Sequence, residues 1–114
     1  MVRSTNQGWK LLFVPMLLAA ALLSPGSSAQ GNPAEDVFKS KCAACHGPDG
    51  GAKTTMGSML KIRDLRSDEV QKQNDSELNQ IITKGKNKMP AFDGKLKKEE
   101  IQQLVVFIRQ LAKK

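Results

Sequence analysis

Cys42-Ala43-Ala44-Cys45-His46 contains both cysteines and the single histidine of this 114-residue chain. On a helical turn, positions i, i+3 and i+4 share one face, so Cys42, Cys45 and His46 are predicted to point at one ligand. A C-x-x-C pair alone also serves thiol redox enzymes and zinc sites. The histidine that follows, with no other cysteine or histidine in the chain, narrows the reading. Two thiols at this spacing suit thioether bonds to the two vinyl groups of a haem, and the adjacent imidazole can bind its iron. The stretch therefore predicts a covalently held haem, one per chain.

The first 29 residues read as a signal peptide, and residues 30–114 as the functional domain. Arg3 and Lys10 form a basic start, and Leu11 to Leu23 is apolar apart from Pro15. Ser24-Pro25-Gly26 breaks a helix, and Ser27-Ser28-Ala29 offers a small-x-small cleavage site before Gln30. The apolar run is shorter than the roughly 20 residues that a membrane span needs. Export suits a chain whose thiols are to be joined to haem, and the compartment expected is the bacterial periplasm. Any membrane association would come through partner complexes or an uncleaved N-terminal segment.

Losing Arg3 and Lys10 lowers the formal charge from +7 to +5. The remaining aromatics are Phe38, Phe92 and Phe107. A domain this small has little core of its own, so a haem is expected to supply apolar interior. The class is all-α, with three main helices and a long irregular loop around the haem. Asn32-Pro33-Ala34-Glu35 opens the first helix, with Asn32 as cap, Pro33 at its first position and Glu35 closing a capping box. The second spans Asp75 to Lys84, with Asn74 and Glu77 as a second box and Gly85 as the stop. The third runs from about Lys98 to Ala112, with Ile101, Leu104, Val105, Ile108 and Leu111 at helical spacing. Gly47 to Gln73 is expected to be irregular and to wrap one side of the haem, with room for a short helix in 67–73.

With His46 the only histidine, the second iron ligand is a methionine, a lysine or an open position. Met56, Met59 and Met89 remain after signal removal. Met89 is the strongest, because Gly85-Lys86-Asn87-Lys88-Met89-Pro90-Ala91-Phe92 reads as an ordered loop after a helix, stiffened by Pro90. Met59 is the next alternative.

These residues together resemble the small bacterial class I cytochromes c. The resemblance rests on Cys42–His46, Gly57-x-x-Leu60, the Met89-Pro90-Ala91-Phe92 segment and the terminal helix. It implies thioethers at Cys42 and Cys45, a proximal iron bond at His46 and a distal one at Met89. It also implies that Phe38 crosses Leu104 and Phe107, with Ala34 where the family usually has glycine. Three positions depart from the pattern. Ser58 stands where a proline carbonyl usually orients the imidazole, Phe107 stands for Tyr, and Lys97 replaces the capping Ser or Thr of the last helix.

The function expected is one-electron carriage by a monomer between redox proteins, with no substrate chemistry. The alternative is a haem enzyme or gas sensor with an open distal position, and no second histidine is present to serve one. Lys84, Lys86, Lys88, Lys95, Lys97 and Lys98 cluster about Met89 and suggest a partner with an acidic docking surface. Nucleic acid is not an expected partner, despite the sequence pI near 9.7, because aromatics are few.

Overall fold

The computed structural model describes residues 31–114. The expected signal peptide lies outside the described residues. Six helical segments follow one another: α1 (Pro33–Lys41), α2 (Ala43–His46), α3 (Thr55–Met59), α4 (Asp68–Gln71), α5 (Asp75–Lys84) and α6 (Lys98–Leu111). Among the described residues there is no strand, only two isolated bridges, Lys86 with Met89 and Asp93 with Leu96.

Three long helices stand where the hydrophobic periodicity puts them, and α5 has the predicted bounds. Its capping box is complete: Asn74 Oδ1 accepts from Glu77 N (2.9 Å), and a Glu77 carboxylate oxygen accepts from Asn74 N (2.8 Å). At α1 the expected box is only half made. Asn32 Oδ1 accepts from Ala34 N (3.1 Å), but Glu35 turns outward to pair with Lys39 at 2.8 Å. A lysine one turn further on competes for that carboxylate, as i,i+4 pairs do. At α6, Lys97 supplies no side-chain cap, and Glu100 accepts from the Lys97 N–H at 2.7 Å.

The core sits where α1 crosses α6. Phe38 and Leu104 are the largest fully buried side chains, each 1% exposed. The Phe38 and Phe107 rings lie 5.2 Å apart, tilted by 54°, within the range favoured for aromatic pairs. Ala34 is buried at the same crossing, where a small side chain lets the helices approach. Replacing the family's tyrosine by Phe107 leaves a ring that is 2% exposed and needs no hydroxyl partner.

The 47–73 stretch is less irregular than its composition suggests, because it contains both α3 and α4. The second falls within 67–73, as anticipated. The first was not legible: five residues with a central glycine have weak helix propensity. It forms because Thr54 works in two directions. Its Oγ1 accepts from Gly57 N at 2.8 Å and donates to the Cys45 carbonyl at 2.9 Å, fixing α3 against α2. Gly57 is required by this approach, since a Cβ there would lie 2.1 Å from the Ala52 carbonyl oxygen.

Candidate haem site

The helix α1 hands its last turn directly to the C-x-x-C-H segment. Cys42 N donates to Phe38 O at 2.8 Å, and His46 N donates to Cys42 O at 2.9 Å. Across the break at Cys42, these bonds carry Cys42, Cys45 and His46 to the wall of one cavity of about 480 Å³. Met89 and Pro90 also line it, brought there by a turn at the end of α5. Between them lies an apolar lining that includes Leu60, Ile62, Leu65, Val70, Leu78, Ile81 and Phe92. The volume falls in the range of cofactor sites.

The Met89 turn is tied to its helix at several points. Lys86 and Met89 exchange backbone hydrogen bonds, N to O at 3.2 Å and 2.9 Å. Phe92 N donates to Ile82 O (3.0 Å), and Asp93 N to Thr83 O (3.1 Å). Gly85 has φ +74, and a Cβ there would meet Met89 O at 2.6 Å. Asn87, at φ +55, takes the left-handed conformation that asparagine tolerates better than most residues.

Side-chain chemistry agrees with metal binding rather than thiol redox work. Burial lowers the His46 pKa, favouring the neutral imidazole that coordinates metals. Its Nδ1 is buried with no hydrogen-bond partner. The carbonyl of Ser58, which stands at the family's proline position, accepts from Leu60 N and Lys61 N at the end of α3. Burial, and secondarily the neighbouring Cys45, pushes the Cys42 thiol up to about 11. Reactive redox cysteines have depressed values, and burial moves Cys42 the other way. Both cysteines are free. A 480 Å³ apolar space bordered by two thiols, a neutral imidazole and a thioether fits a haem.

Among the described residues, the two other methionines stay away. Met59 is 70% exposed and Met56 42%, and neither lines the cavity. A second, smaller cleft of about 260 Å³, between Pro48, Arg66, Phe107 and Lys114, has neither cysteine nor histidine.

A sequence-family profile described as "Cytochrome C oxidase, cbb3-type, subunit III" matches residues 29–108. The chain belongs to the c-type cytochromes. Similar curated proteins include the cytochrome c6 of Petalonia fascia, 34% identical over 77 residues, covering 68% of this chain and 87% of the relative. The cytochrome c6 of Thermostichus vulcanus is 31% identical over 103 residues, covering 90% of this chain and 84% of the relative. Among solved structures, the KustC0563 c-type cytochrome superposes with a TM-score of 0.64 at 31% identity, covering 68% of this chain and 95% of that one. Covalently bound haem c and electron carriage come with membership, and one C-x-x-C-H means one haem in this cytochrome.

Charge at the cavity mouth only partly follows the sequence cluster. Lys86 and Lys88 line the cavity, but Lys84 pairs with Asp93 at 3.5 Å, and Lys95 lies 6.0 Å from the Phe92 ring centroid. Three cations that sequence reasoning missed, Lys41, Lys61 and Arg63, line it instead. Only the fold brings them there, from the end of α1 and from the turn after α3. Among the described residues no carboxylate lines this cavity, although Glu69 reaches Arg63 at 3.2 Å.

Proposed function

We propose that this cytochrome is an exported, periplasmic one-electron carrier whose haem is joined through Cys42 and Cys45 and ligated by His46 and Met89. The observation that carries the reading is the single cavity bordered by all four residues. A haem held by these residues would supply reversible one-electron chemistry at its iron. The chain's part is to hold, shield and present. Cys42 and Cys45 anchor, while His46, kept neutral by burial, offers nitrogen. Met89, held by its reciprocal bonds to Lys86, offers sulfur, a soft ligand that favours the reduced state. The apolar lining keeps water away. A carrier rather than an enzyme or sensor is favoured because Met89 borders the same cavity as His46 and can serve as a second iron ligand, and among the described residues neither a carboxylate nor a second histidine lines it.

Cleavage after Ala29 belongs to the same proposal, supported by the basic, apolar and small-residue order of residues 1–29. Among the described residues no helix is long and apolar enough to cross a membrane. Lys41, Lys61, Lys86 and Lys88 around the mouth support a redox partner with an acidic face, steered by charge in a salt-dependent encounter.

The test is a spectroscopic and mass characterisation of protein matured by an exporting host. The expected result is a chain beginning at Gln30 with one haem on the peptide holding Cys42 and Cys45. The ferric spectrum should be low-spin, with no prompt change on adding small ligands. A high-spin ferric spectrum that shifts at once with added ligand would favour the enzyme or sensor reading.

A further inference from the structure

The segment from Leu65 to Leu78 forms one side of the haem cavity through Leu65, Val70, Gln73 and Leu78. Its helix α4 has only four residues, too few to hold its own shape. Arg109, on α6 and 24% exposed, hydrogen-bonds it to the terminal helix. Arg109 Nη1 donates to the Gln71 carbonyl (2.7 Å) and to Gln71 Oε1 (3.2 Å). Its Nη2 donates to the Gln73 carbonyl and, at 2.8 Å, to Asp75 Oδ1, which Nε also reaches at 3.0 Å. The carbonyls of Gln71 and Gln73 lie where α4 ends, without helical partners, and the planar guanidinium satisfies both. Gln71 extends the tie, its Nε2 donating to Leu65 O (2.7 Å) and Ile108 O (3.2 Å). The Arg109 fork therefore joins the end of α4 and the start of α5 to α6, and Gln71 adds the Leu65 turn.

We infer that Arg109, acting with Gln71, is a positioning residue that holds this wall against the haem and so helps set its reduction potential. The inference rests on the cavity being the haem site. A wall released from α6 admits water, and water stabilises the more highly charged oxidised site, lowering the potential.

The experiment compares holoprotein of wild type, Arg109→Met, Arg109→Lys and Gln71→Leu by amide hydrogen exchange and by equilibrium redox titration. Arg109→Met keeps the stem without donors, and Arg109→Lys keeps the charge without the fork. All three variants should speed exchange at residues 70–73 about tenfold, as loss of hydrogen bonds worth about 1.4 kcal/mol predicts. All three should lower the potential and leave exchange in the interior of α6 unchanged. Gln71→Leu, which leaves Arg109 intact, remains informative if Arg109→Met folds poorly. Wild-type exchange and potential in Arg109→Met would overturn the inference. So would uniform acceleration across all helices, faster exchange with an unchanged potential, or a wild-type-like Arg109→Lys, which would assign the effect to charge alone. Failure of the haem-site reading would appear separately, as unaltered iron ligation in His46 and Met89 variants.

Discussion

The α1–α6 crossing and the cavity side of this cytochrome are built from similar apolar residues but finish differently. At the crossing, Phe38, Leu104 and Phe107 meet one another directly, and each is 2% exposed or less. On the cavity side, Leu60, Ile62, Leu65, Leu78 and Ile81 line a space of about 480 Å³, with Leu78 shared with the buried cluster of the crossing. The first region closes on its own side chains. The second has its walls supplied by short helices and turns and needs a cofactor to complete its interior. Stability is therefore divided between a crossing that the chain encodes alone and a half that depends on haem attachment.

The sharpest way to break that division is at the attachment residues. Cys42→Ala with Cys45→Ala should abolish covalent haem and leave little folded protein at 37 °C, seen by mass spectrometry and circular dichroism. A fully folded, haem-free double variant would mean that the cavity half supports itself. Next in size is the crossing. Phe38→Ala should cost ~3–5 kcal/mol of unfolding free energy by denaturant titration, with haem still attached. A loss below about 1 kcal/mol would mean the crossing is not the main core.

The two halves were unequally legible, for the same physical reason. Amphipathic periodicity and caps lie within one segment, so Asn74, Glu77 and Gly85 bounded α5 correctly, and the apolar stripe of α6 marked the crossing. Cys42, Cys45, His46 and Met89 were picked out by type and spacing alone. α3 was not, because its cap, Thr54, depends on the Cys45 carbonyl nine residues earlier. The cations at the mouth were half-missed for a similar reason. Proximity in sequence grouped Lys84 and Lys95 with Met89, whereas the fold brought in Lys41, Lys61 and Arg63. The Arg109 tie had no signal at all, since it joins residues 34 to 38 apart in the chain.

A smaller effect sharpens the comparison at the seam between the halves. Hydrogen bonds from Arg66 hold the Asp64 carboxyl down to about 2, from an ordinary value of 3.8. Because the folded value is depressed, this pairing stabilises the protein above about pH 4, and the contribution disappears as pH falls through about 2. With Asp64 38% exposed, solvent screening keeps the contribution below about 1 kcal/mol. Asp64→Asn should lower stability by that small amount at pH 7 and have no effect near pH 2, measured by thermal unfolding at both. An equal loss at both pH values would assign the role to shape rather than charge.

The claim that joins both halves is that Met89 completes the iron site opposite His46. Its most direct test is the weak long-wavelength absorption band of the ferric protein that reports sulfur bound to iron. The band should be present in wild type, lost in Met89→Ala, and unchanged in Met56→Ala and Met59→Ala. A band that persists in Met89→Ala would contradict the account.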